Sequence, residues 1–216
     1  MPIGDHLRDV MDVYGSPKCP HTNAVLITAG EKGVDINSHV EDDWGPSSSI
    51  RSMSPLGIGP VLKDRSAVNI GLVSCMSYLD DKGFGPSLVH RNGVTRARMF
   101  QEITIAQQTD CSDDAALAAA LDQLEATLNS PLGNMKGDYC VGQYTLADCA
   151  WAGVCQVATN MGKGTAVSSR SAVNTWFAAV QSHPSTSKEA INPFSCLSTK
   201  ADHDGNTMRD VRINTA

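Results

Sequence analysis

No stretch of this chain approaches the ~20 consecutive apolar residues that a bilayer-spanning helix needs, so no membrane partner is expected. Positive charge is also short: 17 Lys and Arg stand against 23 Asp and Glu, a formal net charge of −6. That balance speaks against the basic footprint of a nucleic-acid binder. The opening MPIGDHLRDVMDVYG carries acidic residues and no apolar h-region, so it does not read as a signal peptide. Internal repeats and low-complexity tracts are missing. The seven cysteines are odd in number, and Cys75, Cys149 and Cys155 fall in apolar or helical patterns. This predicts reduced thiols in a cytoplasmic protein rather than a disulfide framework. Zinc spacing is absent too: Cys149 and Cys155 have no nearby His pair to complete a tetrahedral set, so no metal is expected.

What is present suffices for a core. Hydrophobic residues make up 41% and charged residues 19%, and 216 residues suit one large domain or two small ones. The first half mixes periods. MDVYGS (11–16) reads as a strand, NAVLITAGEKG (23–33) as a helix closed by Gly33, and VDINSHV (34–40) as a second strand. EDDWGPSSS (41–49) reads as a loop, GPVLKD (59–64) as a strand and 67–70 as another. A helix follows from Leu72, stopping before Gly83. DDKGFGPSLVHRNG (80–93) reads as a linker. Beyond it the pattern is helical: 97–110, then AALAAALDQLEATLNS, LADCAWAGVCQVATNM and SAVNTWFAAVQSH. Leu117, Leu121, Leu124 and Leu128 share one helical face. Loops are expected at 130–138 and at MGKGT (161–165), and the last ~20 residues, with few apolar positions, should fray.

Two short motifs carry physics of their own. In GQYTLAD, Thr145 and Asp148 are spaced for a capping box at a helix start, a structural role. Cys19, in Cys-Pro-His-Thr, falls between a strand and a helix N-terminus. Unpaired amides and the helix dipole there favour an anion, which draws a thiol down from ~8.5. Such a thiolate serves as both nucleophile and leaving group. Thr22 stands where a dithiol motif would have its second Cys, so the motif is monothiol. Ser16, in the same turn, is the rival: a hydroxyl can hold a substrate thiolate by hydrogen bond. Thr22 ranks below both, and His21 reads as an exposed turn residue.

Four segments in order resemble the glutathione transferase superfamily: VYGSPKCPHTNAVLITAGEKG, SPLGIGPVL, GQYTLADCAW and VNTWFAAVQSHPS, together covering most of residues 10–188. The first half is phi-like, with a Cys where phi-type enzymes carry Ser. The resemblance implies a thioredoxin-like α/β domain at 1–82 and an all-α domain at 92–216, ending in a poorly ordered tail. It implies a homodimer using glutathione as cosubstrate, with no metal. Catalysis would fall to Cys19 or Ser16. Gly59 and Pro60, the latter cis in the family, would face glutathione's cysteinyl group. Gly71 and Leu72 occupy the place of the family's Glu/Gln-Ser pair, so the acidic partner for the γ-glutamyl ammonium is missing and weak glutathione binding is expected. Met99, Ile103 and Gln107, spaced for one helical face, would form the second-substrate wall, although a core stripe is the commoner meaning of that spacing. The activity implied is transfer to a small electrophile or disulfide. The alternatives are a glutathione-dependent isomerase, a transferase tailored to one metabolite, or a non-catalytic binding or scaffold protein of the same fold.

Overall fold

The computed structural model describes residues 10–41, 49–129 and 137–183. Alternating burial along MDVYG makes β1 (Met11–Gly15), whose Met11 and Val13 face the core. Helix α1 (Pro20–Glu31) follows, then β2 (Ile36–Val40), the short α2 (Ser49–Met53), β3 (Val61–Asp64), β4 (Ala67–Ile70) and α3 (Leu72–Lys82). The four strands form one sheet in the order β2-β1-β3-β4. β1 and β2 are parallel; β3 runs antiparallel to β1 and to β4. Helix α2 lies beyond the loop expected at 41–49, of which 42–48 fall outside the described residues. Five residues, SIRSM, are too few to show a helical period.

The rest is helical: α4 (Gly93–Gln108), α5 (Asp114–Asn129), α6 (Leu146–Ala158), a π turn (Thr159–Lys163), α7 (Gly164–Ser168) and α8 (Ser171–Gln181). Leu117, Leu121 and Leu124 are buried and Leu128 packs against them, as their spacing requires. MGKGT is not the plain loop its glycines suggest. It forms the π turn and the start of α7, with Gly162 at φ 80 supplying the kink. The tail expected to fray, STKADHDGNTMRDVRINTA (198–216), lies outside the described residues.

Helix α6 is the centre of the molecule. Every residue from Leu146 to Ala158 is buried, Asp148 and Gln156 among them, as befits a helix that is predominantly apolar around its circumference. It packs on α1, which is buried from Thr22 to Gly30. Small residues permit the approach: a Cβ placed on Gly153 would collide with the Pro20 carbonyl oxygen. One hydrophobic core therefore runs from the sheet through α1 and α6 into the helical part.

The segment between α3 and α4 is pinned rather than loose. Lys32 and Asp80, each 2% exposed at the side chain, pair at 3.1 Å. Asp80 also accepts from the Leu88 amide and the Ser87 hydroxyl, both at 2.7 Å, and Lys32 donates to the Pro86 carbonyl at 2.9 Å. Residues 80–82, read from sequence as linker, are the last turn of α3.

Candidate functional site

The turn from β1 to α1 places Cys19 at the N-cap of α1, with extended backbone (φ −92, ψ 120) and Pro20 starting the helix. Pro suits that position, where no intrahelical N–H is needed. The Cys19 amide donates to the Ser16 carbonyl at 3.0 Å, and the Asn23 amide group braces the turn through the Pro17 and Cys19 carbonyls, both at 2.9 Å. The Cys19 side chain makes no capping hydrogen bond, and Cys19 alone among the six described cysteines is not buried. Burial pushes the thiol of Cys75 up to about 12 and that of Cys111 up to about 11, and raises Cys140, Cys149 and Cys155 as well. Ser16 is buried, and its hydroxyl oxygen accepts from the Lys18 amide at 3.2 Å. The Thr22 hydroxyl is fully buried against Gly15, where any Cβ would collide with it.

The register of the sheet carries two further segments to the same edge. Tyr14 pairs with Val61, so the cis Gly59–Pro60 bond lies one step beyond, beside the end of β1. Pro60 is buried and Gly59 half-buried. The Pro60 carbonyl accepts from the Gly71 amide at 2.8 Å, which brings in the start of α3. Gly71 caps α3 at φ 83, ψ 167, a region essentially reserved for glycine. Leu72 is 2% exposed and belongs to the core. A glutamate at 71 would be strained, and a serine at 72 would empty a core position. The absence of the acidic pair is thus built into the backbone as well as the sequence.

The expected second-substrate wall is corrected in part. Met99 and Ile103 are 0% and 1% exposed and pack in the core against neighbouring helices, so their side chains are unavailable to a ligand. Their helical spacing marked the buried face of α4, not an open one. Gln107, one turn further along the same face near the end of α4, is exposed. Its carbonyl, near the end of α4, lies 2.9 Å from His21 Nε2. A carbonyl can only accept, so the ring donates. Burial holds the His21 imidazole below its ordinary range, partly offset by this bond. His21, read from sequence as an exposed turn residue, ties the Cys19 turn to α4; nothing in CPHT alone signals that contact.

The Thr145–Asp148 pair is structural and larger than a capping box. Asp148 is fully buried and accepts from the Thr145 amide (2.9 Å), the Thr145 hydroxyl (3.1 Å), the Cys140 amide (2.9 Å) and Trp176 Nε1 (2.8 Å). Glu102, also fully buried, accepts from Trp151 Nε1 at 3.2 Å and pairs with Arg98 at 3.0 Å. Among the described residues, no three His, Cys, Asp or Glu side chains gather into a set that could hold a metal ion, and no helix is long and apolar enough to cross a membrane.

Solved structures share this arrangement along nearly their whole length. A delta-class glutathione transferase from Nilaparvata lugens matches at 22% identity over 85% of this chain and 93% of its own, with a TM-score of 0.69. A maleylacetoacetate isomerase from Methylobacterium extorquens AM1, solved with bound malonate and glutathione, matches at 17% identity over 85% and 96%, with a TM-score of 0.70. The chain has the glutathione transferase fold. Among curated proteins, a stringent starvation protein A homologue from Coxiella burnetii is 32% identical over 91 residues, which span 42% of this chain and 44% of the relative. A second such homologue, from Pasteurella multocida, is 26% identical over 152 residues, 66% of this chain and 72% of the relative. The first match thus spans less than half the length of that relative. No family model matches the chain. In this glutathione transferase fold, the α1 and α3 starts and the cis-proline loop share one edge of the sheet, with Cys19 and Ser16 together in the turn that opens α1.

Proposed function

We propose that the protein is a divergent glutathione-dependent thiol transferase with Cys19 as its nucleophile. The observation that carries this is that Cys19, alone among the described cysteines, is half-buried, at the N-cap of α1 beside the cis-proline loop. The Cys19 sulfur attacks the glutathionyl sulfur of a mixed disulfide, the S–S bond breaks, and the other thiolate leaves. A second glutathione thiolate then attacks the Cys19-bound sulfur and departs as glutathione disulfide, returning Cys19. A thioether electrophile would be met by the same sulfur. Gly59 and Pro60 supply backbone for the cysteinyl part of glutathione. The Leu72 amide, at the start of α3, can receive a carboxylate. The site is read as working in a reduced cytoplasmic setting, in a homodimer. Isomerisation is the nearest alternative chemistry, since one structural relative is named as a maleylacetoacetate isomerase.

A second reading has its own observation. Gly71 and Leu72 provide no acid for the γ-glutamyl ammonium, and loss of a charge-assisted contact of ~1.5–3 kcal/mol weakens binding about tenfold to a hundredfold. A non-catalytic binding or scaffold protein would tolerate that loss. Three measurements separate the readings. Iodoacetamide with mass mapping should modify Cys19 at least about tenfold faster than the buried cysteines, because reaction follows exposure and thiolate character. Cys19→Ala should lower turnover of a glutathionyl mixed disulfide by about a hundredfold or more, the scale of losing a nucleophile. Labelling of Cys19 no faster than Cys111 overturns the enzyme reading. Failure to be retained on immobilised glutathione, with no turnover, establishes the scaffold reading instead.

A further inference from the structure

The motif around Cys19 holds no second thiol, because Thr22 takes the place a dithiol motif would fill. The tertiary structure brings one from the helical half. Cys111 lies in the turn between α4 and α5, 5% exposed, with its Sγ 3.9 Å from the Val154 carbonyl of α6. The preceding residue of α6, Gly153, is the one that touches the Pro20 carbonyl, next to Cys19. On the other flank, the His21 ring reaches the Gln107 carbonyl at the end of α4. The two residues after Cys19 therefore contact elements on both sides of Cys111. Lys163 holds the Cys111 turn in place, donating to the Cys111 and Ser112 carbonyls at 2.7 and 2.8 Å. The thiols are also within electrostatic reach. Burial is the main cause of the rise at Cys111, Asp110 adds to it, Lys163 opposes it, and charge on Cys19 adds a further part.

We propose that Cys111 is the resolving thiol of Cys19, closing a disulfide across the seam between α1 and the helical half once Cys19 has been oxidised by a hydroperoxide. The inference needs the reactive Cys19 of the preceding reading but not glutathione. Burial assigns the two roles. Half-buried Cys19 meets the oxidant; buried Cys111 reacts only with a sulfur delivered beside it. In the first step the Cys19 thiolate attacks one peroxide oxygen. The O–O bond breaks, Cys19 becomes a sulfenic acid, and hydroxide leaves and is protonated to water. In the second step the Cys111 sulfur attacks the Cys19 sulfur. An S–S bond forms, the S–O bond breaks, and the departing hydroxide takes the Cys111 proton as a second water. Two thiols are oxidised and one peroxide is reduced to two waters. The bond occupies Cys19, keeps it from over-oxidation to the sulfinic acid, and stops its transfer chemistry until a thiol reductant reopens it.

The test treats the full chain with one equivalent of hydrogen peroxide, blocks free thiols with iodoacetamide, and maps peptides without reduction. The expected result is a linked pair of peptides containing Cys19 and Cys111, lighter by two hydrogens than their sum and separated by dithiothreitol. With dimedone present, Cys111→Ala should raise the trapped Cys19 sulfenic acid by at least about tenfold over the unaltered chain, because nothing then resolves it. Equal trapping in the two proteins, or Cys19 linked to another cysteine such as Cys196, overturns the inference and leaves the reactive Cys19 standing. A Cys19 that is not oxidised at all overturns both. The peptide map of the unaltered chain separates these outcomes whether or not the variant folds.

Discussion

Two helices leave the same edge of the sheet, and their first turns have opposite chemistry. Helix α1 starts with Cys19, a half-buried sulfur with no capping duty. Helix α3 starts with Gly71 and Leu72, one without a side chain and one buried in the core. One start holds an accessible thiol, while the other, where a charged grip is expected, holds only backbone and a core side chain. Their far ends are alike: Lys32, at the C-cap of α1, and Asp80, in the last turn of α3, form a buried pair. The two near ends thus differ in the side chains they present, while the far ends are tied into one frame.

The largest effect should come from breaking the far-end tie. Lys32→Met leaves Asp80 buried without its cation and should destabilise by about 3–5 kcal/mol, and pairing it with Asp80→Leu should recover much of that. Urea or thermal unfolding measures both. The same tie predicts acid sensitivity. Burial alone would raise the Asp80 carboxyl, but the Leu88 amide, the Ser87 hydroxyl and Lys32 together hold it below the ordinary carboxylate range. A folded value below the unfolded one gives stability that is complete above the unfolded pKa of ~3.9 and is lost as pH falls through the folded value. Acid unfolding of the unaltered chain should therefore gain a contribution below about pH 4, and its midpoint should move upward in Lys32→Met. A Lys32→Met chain as stable as the unaltered one, by either route, contradicts the role given to the pair.

The start of α3 sharpens the comparison at intermediate size. Gly71→Ala should cost about 1–3 kcal/mol, from backbone strain rather than collision, since the nearest atom to an added Cβ, Ile58 Cγ2, is 3.7 Å away. Calorimetric melting checks it; an unchanged melting temperature would mean that α3 can start another way and that a glutamate could be restored there. The smallest effect is expected at Gly93, the first residue of α4, where an added Cβ meets nothing within 4 Å and no left-handed φ is present. Gly93→Ala should stabilise by about 0.4–1 kcal/mol, mainly by restricting the unfolded chain. A loss there of the size seen at Gly71 would show that the Gly71 cost is not specific to its conformation.

The sequence by itself determined whatever depends on neighbours a few positions apart. Alternation placed β1 and β2, helical spacing placed α4, α5, α6 and α8, the Leu117–Leu124 stripe marked a buried face, and Thr145 with Asp148 marked a helix start. Cys19 was legible because its place between strand and helix is local. The spacing of Met99 and Ile103 marks one face of α4, and only the tertiary structure decided that this face is core rather than an open wall. It alone joined Lys32 to Asp80, His21 to Gln107, and the Cys19 turn to the elements flanking Cys111. It alone gave Gly71 a backbone that only glycine adopts freely. Local order follows from dihedral preference and side-chain period, which a few residues carry. The rest follows from how closely α6 packs on α1, and that distance belongs to the whole core, with Gly153 set against Pro20 and Ala24 where no side chain would fit.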